Sequence, residues 1–227
     1  MLERASLLAS TYIAVEGVIG VGKTTLVNAL AERMGARAVF EQFDENPFLP
    51  DFYRDREAFA FSTQIFFLMS RFRQQELLAQ GDLFRSITLS DYCFDKDRIF
   101  ALINLRNQEL ALYERLFEVL RVQVPEPDLI IYLRAELDVI MERIAERDRP
   151  YERGMDPGYI REVAAAYGEL FGGFDACPVL TIDTSELDLR RDSAAVDAIE
   201  DAIRAGRTEL AQPMRAREAA LPLPGFG

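Results

Sequence analysis

Gly17-Val18-Ile19-Gly20-Val21-Gly22-Lys23-Thr24-Thr25 carries the spacing G-x-x-x-x-G-K-T, and its flanks give that spacing a context. Before it, Tyr12-Ile13-Ala14-Val15 is a short apolar, β-prone run. After it, Leu26-Val27-Asn28-Ala29-Leu30-Ala31 takes up helical spacing. A strand that runs through such a loop into a helix is a phosphate-binding loop. Gly17, Gly20 and Gly22 let the backbone turn tightly and aim successive N–H groups inward. The helix opening near Lys23 and Thr25 adds the positive end of its dipole. Lys23 is expected to reach the outer phosphates of a nucleoside triphosphate, and the Thr24 hydroxyl to ligate Mg²⁺. An ordinary Gly-rich strand-to-helix turn would need neither the Lys-Thr pair nor these flanks.

Outward from the loop, strand-like and helix-like segments alternate. Strands are predicted at 11–16, 37–41, 86–91, 128–133 and 178–182, each apolar, β-branched or aromatic and bounded by polar, Gly or Pro residues. Helical patterns lie near 23–34, 57–79, 98–122, 136–147, 157–171 and 192–208. That order predicts an α/β fold, a five-stranded parallel sheet flanked by helices. The patterns at 57–79 and 98–122 are long and apolar, so part of their surface is expected to form a homodimer interface. One domain is expected over 1–212. The tail 213–227, with Pro222, Pro224, Gly225 and Gly227, is expected to be loosely ordered.

Composition narrows the chemistry. The chain has 227 residues, 49% hydrophobic and 28% charged, which is ordinary for a globular protein. No apolar run reaches the length of a membrane span, and the first eight residues lack the pattern of a secretory signal. Cys93 and Cys177 are too few and too far apart for a disulfide scaffold and fit a reducing cytoplasm. With 26 Lys plus Arg against 38 Asp plus Glu, the net charge of −12 disfavours a nucleic-acid partner. Any anionic substrate then needs a local basic cluster. Histidine is absent, so Ser-His and Cys-His chemistry is excluded and acid–base work falls to carboxylates.

Beyond the loop, three further features point to a site. Glu41 follows the second predicted strand, and ligands of an open α/β sheet lie beyond the carboxyl ends of its strands. Position alone does not separate it from a solvated loop carboxylate. Asp91 ends the third strand, the usual place for a carboxylate associated with Mg²⁺, and also a common place for a turn Asp. Arg143, Arg147 and Arg149 crowd a short stretch that Pro150 ends. Alone such a run reads as a solvated face balanced by Glu142, Glu146 and Asp148. Beside a phosphate loop it reads as a lid, about 143–153, that clamps phosphates.

From about Tyr12 to Ile182 the chain resembles the deoxyribonucleoside kinase family, especially its bacterial purine members. The likeness rests on the glycine loop, Glu41 followed by Asn46-Pro47-Phe48-Leu49, and Asp51-Phe52-Tyr53. It continues through Phe61-Ser62-Thr63-Gln64, Arg71, Ser90-Asp91-Tyr92, Asp97 and the arginine lid ending at Glu152. The resemblance implies a kinase that moves the γ-phosphoryl of ATP to the 5′-hydroxyl of a deoxyribonucleoside. It implies Glu41 as the base on that hydroxyl and Tyr53 with Glu152 on the 3′-hydroxyl. It also implies Gln64 on the base edge, Arg71 with Asp97 nearby in a manner that tilts toward purines, and Asp91 near Mg²⁺.

One position departs from the pattern. The family's acidic-Arg-Ser reads Asp91-Tyr92-Cys93 here, and the arginine that steadies the transferring phosphoryl group is missing. Arg85 and Arg98 are the neighbouring candidates to replace it. Two rivals follow. A thymidylate-kinase-like enzyme would gather Arg54, Arg56, Arg71 and Arg73 around an acceptor phosphate. An inactive nucleotide-binding relative would account for Tyr92. Asp95-Lys96-Asp97 is only a fragment of a guanine-reading signature.

Overall fold

A computed structural model describes residues 11–79 and 86–210; the expected loose tail at 213–227 lies outside the described residues. The elements run β1 (Thr11–Glu16), α1 (Lys23–Met34), β2 (Arg37–Val39), a 3₁₀ turn (Phe43–Glu45), α2 (Leu49–Arg54) and α3 (Arg56–Ala79). There follow β3 (Ile87–Ser90), α4 (Lys96–Asn104), α5 (Asn107–Arg121), β4 (Leu129–Arg134) and α6 (Leu137–Arg147). A second 3₁₀ turn (Pro150–Glu152), α7 (Pro157–Gly172), β5 (Val179–Asp183) and α8 (Ser193–Arg204) complete the described chain.

All five strands are parallel, in the order β2-β3-β1-β4-β5. β1 sits at the centre, pairing Ile13 with Leu89 on one side and Val15 with Ile131 on the other. Ile13, Ala14 and Val15 are buried, as are Ile130, Ile131 and Leu133 of β4. Continuous apolar strands of this kind belong to a sheet covered on both faces. Leu26 and Leu30, fully buried, fasten α1 to the sheet, each contributing ~2 kcal/mol by burial. The chain leaves β1 for β2, returns to β3 and then crosses to β4 on the far side. The crevice above the β1–β3 seam is therefore the place for a ligand.

Two departures from the predicted elements have physical causes. The single helix expected at 98–122 is two, α4 and α5, because Leu105 and Arg106 are extended and Asn107 takes a left-handed φ of 51°. Leu105 is fully buried, and Arg106 donates to the carbonyls of Leu102 (3.0 Å) and Leu105 (2.7 Å), closing the end of α4. α2 was not read from the sequence; it is a short helix with Pro50 in its first turn. Elsewhere the bounds agree within a few residues.

Candidate active site

The glycine loop presses its backbone against the ends of β4 and α6. A side chain on Gly17 (φ 144°) would run into the carbonyl oxygen of Leu133, and one on Gly20 (φ 86°) would sit 2.8 Å from Ile144 Cγ1. Only glycine permits both that approach and those dihedrals. Lys23 Nζ donates to the carbonyls of Gly17 (2.8 Å) and Val18 (3.2 Å), so its ammonium lies inside the loop. Thr24 Oγ1 donates to Asp91 Oδ2 at 2.6 Å, and Asp91 Oδ1 accepts from the Glu41 backbone N–H at 2.8 Å. One carboxylate thus ties together the chain beyond three strands.

Two cavities open from this loop. One runs over Gly20 to Thr25 between α6 and residues 187–190. The other is lined by Glu41, Phe52, Tyr53, Gln64, Phe67, Arg71, Lys96, Tyr151 and Glu152. Gly20, Lys23, Thr24, Arg147 and Arg149 border both. A group that bridges the cavities must pass Lys23 and the lid arginines.

The second cavity holds a buried charge network. Glu41 Oε1 accepts from Arg71 Nε (2.8 Å) and Nη2 (2.5 Å), and Oε2 accepts from Lys96 Nζ (2.6 Å). Arg71 Nη1 lies 2.7 Å from Asp97 Oδ1, and its guanidinium covers the Phe67 ring at 4.6 Å. Burial pushes the Glu41 carboxyl up, but Arg71 and Lys96 outweigh it and hold the group down at about 2. Burial also pushes Asp97 up, against Arg71. Lys23 is drawn down to about 8 by burial and by the charge of Lys96. Arg71 and Lys96 are matched by Glu41 and Asp97, so this network is close to neutral and leaves Lys23, which donates only to loop carbonyls, as the cation for an anionic ligand.

Glu16, fully buried at the end of β1, accepts from the backbone N–H groups of Gly17 (3.2 Å) and Cys93 (2.5 Å). Burial raises its carboxyl, opposed by Lys96 and Lys23. Neither Glu16 nor Lys96 was singled out as a site residue from the sequence. The available signals were an acidic residue directly before the loop and a lysine directly before Asp97.

The residues implied by the resemblance come together unevenly. Gln64 is buried in the cavity wall with Oε1 free of hydrogen bonds among the described residues. Tyr53 stacks on Tyr151 at 6.1 Å between centroids and 7° between planes. Glu152 accepts from Arg147 Nη2 (2.6 Å) and Nε (3.1 Å), with Arg149 Nη1 at 3.6 Å. Arg149 lies over the Phe43 ring at 4.0 Å. Arg143 stands apart: it donates to the carbonyls of Val21 (3.3 Å), Thr184 (2.7 Å) and Leu187 (2.9 Å) and braces the loop against the segment after β5.

The missing arginine is not replaced by Arg98, which is exposed and paired with Glu114 at 3.0 Å; Arg85 lies outside the described residues. Tyr92 is fully buried beneath Lys96, whose Nζ is 5.7 Å from the ring centroid. Of the four arginines that an acceptor phosphate would need, Arg71 alone faces the cavity. Arg54 pairs with Asp51, Arg56 reaches Asn104, and Arg73 borders a separate groove outside α3.

A phosphate loop, a carboxylate across the seam and two arginines, Arg147 and Arg149, bordering two joined cavities fit a P-loop phosphotransferase. The family described as deoxynucleoside kinase matches residues 13–207. The deoxyadenosine/deoxycytidine kinase of Bacillus subtilis is 34% identical over 203 residues, 86% of this chain and 92% of that protein. The deoxyguanosine kinase of the same organism is 32% identical over 179 residues, 78% and 86% of the two chains. The structure of a deoxyadenosine kinase from M. mycoides with dCMP and dCDP bound superposes with a TM-score of 0.75 at 24% identity, covering 86% of this chain and 100% of that one. The chain belongs to the deoxynucleoside kinase family. It is a phosphotransferase, and its fold is the P-loop kinase fold.

Proposed function

We propose that the cavity over α6 takes ATP as donor, that the cavity beside Glu41 takes a deoxyribonucleoside, purines preferred, and that transfer occurs where the two meet. The observation that carries this reading is the shared border of Lys23, Thr24, Arg147 and Arg149, with Glu41 on the acceptor side alone. The 5′-hydroxyl oxygen forms its bond to the γ-phosphorus as the bond to the β–γ bridging oxygen breaks. The hydroxyl proton passes to Glu41, and ADP leaves. A carboxylate held near 2 is a weak base, but in a loose transition state the proton moves late, once the oxygen has begun to bond phosphorus. Orientation of the hydroxyl is then the main task of Glu41.

Thr24 and Asp91 offer hard oxygen donors 2.6 Å apart. That pair suits Mg²⁺, which takes one or two protein oxygens and completes its shell with water and phosphate. When bound, the ion neutralises charge on the phosphates. Loop amides and Lys23 hold the donor, Arg147 and Arg149 face the transferring group, and Arg143 keeps the loop in shape.

Tyr53 and Glu152, both on the wall of the acceptor cavity, are the pair that takes the sugar 3′-hydroxyl. Gln64, with donor and acceptor on one amide, suits a base edge, and Arg71 with Asp97 adds the polar pair behind it. The deoxyguanosine kinase relative supports purines, and the deoxyadenosine/deoxycytidine kinase names one purine and one pyrimidine nucleoside. The exposed Leu112, Leu116 and Val119 form one stripe on α5 and, with Leu102 on α4 and Met69 on α3, support a helix-mediated homodimer. No helix among the described residues is long and apolar enough to cross a membrane, and two cysteines without a disulfide fit the cytoplasm.

The test is ADP release with ATP and Mg²⁺ against deoxyadenosine, deoxyguanosine, deoxycytidine, thymidine and dTMP. Turnover is expected with the purine nucleosides and not with dTMP. ATP bound without turnover of any acceptor would mark a retired site.

A further inference from the structure

We infer that Lys96 is a positioning residue of the transfer reaction: its ammonium fixes Glu41 and thereby chooses the carboxylate oxygen that meets the acceptor hydroxyl. The inference deepens the kinase reading above and rests on it. Lys96 is 3% exposed, lines the acceptor cavity and donates to Glu41 Oε2 at 2.6 Å. Arg71 occupies the other oxygen with two hydrogen bonds. A carboxylate offers about four acceptor positions. With two taken on Oε1 and one on Oε2, the remaining position lies on Oε2, beside the ammonium. A hydroxyl that donates there is oriented by one carboxylate oxygen whose direction the ammonium fixes, so its own oxygen is aimed at the phosphorus.

The placement of Lys96 is costly without such a role. It is the first residue of α4, where the helix dipole opposes a cation. Its charge is removed from water, and a buried ion pair is by itself weak evidence of stabilisation. Its charge interacts with Glu16 of β1, Lys23 of α1 and its neighbour Asp97 on α4, while Arg71 of α3 and Asp91 after β3 both contact Glu41. The Tyr92 ring beneath it supplies a further, weaker anchor. Lys96, at the start of α4, therefore supplies a cation four residues after the position where the sequence lacks one.

The experiment is steady-state kinetics of Lys96→Met, Lys96→Arg, Glu41→Gln and the double variant Glu41→Gln/Lys96→Met, with wild-type turnover of deoxynucleosides measured first. Lys96→Met should lower kcat by about 10² while the nucleoside KM and the ATP Kd change less than about threefold. Lys96→Arg should recover roughly tenfold of that loss. In the Glu41→Gln background the methionine should cost less than about threefold, because its effect runs through Glu41. Should Lys96→Met fail to fold, Lys96→Gln, a donor without the charge, carries the same comparison. A kcat within about threefold of wild type, or a loss that persists undiminished without Glu41, overturns the role of Lys96 and leaves the kinase reading standing. A wild type that turns over no deoxynucleoside overturns the kinase reading and this role with it.

Discussion

The two cavities that meet at Lys23 are built from different materials. The donor side has a backbone floor, glycines at positive φ and the open end of α1, with Arg143 consumed by carbonyls and charged side chains of α6 along its wall. The acceptor side is mostly side chain: Glu41, Arg71, Lys96 and Asp97 in a buried network, with Gln64 and Glu152 on its walls. Backbone amides recognise phosphate oxygens, which every triphosphate presents alike. Side chains can be exchanged one at a time, so selectivity for the acceptor is expected to reside where they predominate.

The largest effect expected from breaking this division is at the shared border. Lys23→Met removes the charge that faces both cavities, and kcat should fall by about 10³ while deoxynucleoside binding, read by calorimetry, persists. Near-normal turnover would refute the loop chemistry. Next, Arg71→Met leaves Glu41 and Asp97 as buried carboxylates without their shared guanidinium. Stability to urea should drop by about 3 kcal/mol, with part of it regained in Arg71→Met/Asp97→Asn. The donor side should barely register that change, so ATP affinity sharpens the comparison. The smallest effect is with pH. Lys23 is drawn down to about 8 by burial and by Lys96, so its ammonium in the empty protein is lost as pH rises through that value. ATP phosphates favour the charged form, so ATP should bind with proton uptake near pH ~9 and more weakly than at pH ~7. Equal affinity with no proton uptake would place the charge elsewhere.

The same division governs what could be read from the sequence. The donor loop is contiguous, so spacing and flanks revealed Lys23, Thr24 and the strand–helix context together. The acceptor side gathers residues 41, 64, 71, 96, 97 and 152 from separate elements. No local pattern announces that grouping, and most of it was legible only through resemblance to a family. Lys96 was passed over because Asp95-Lys96-Asp97 reads as a fragment of another signature, whereas its contact with Glu41 spans 55 positions. The break between α4 and α5 was hidden for a related reason. Apolar periodicity continues across Leu102, Leu105 and Leu110, and the buried, extended Leu105 satisfies the core as well as a helical leucine would.

Single-turnover transfer from ATP to deoxyadenosine by Glu41→Gln, with the Kd of each ligand measured alongside, tests the central claim most directly. With Glu41 on the acceptor side as the group that orients the hydroxyl and takes its proton, both ligands should bind within about tenfold of wild type while transfer falls by about 10³. Transfer at the wild-type rate with glutamine at 41 would contradict the account.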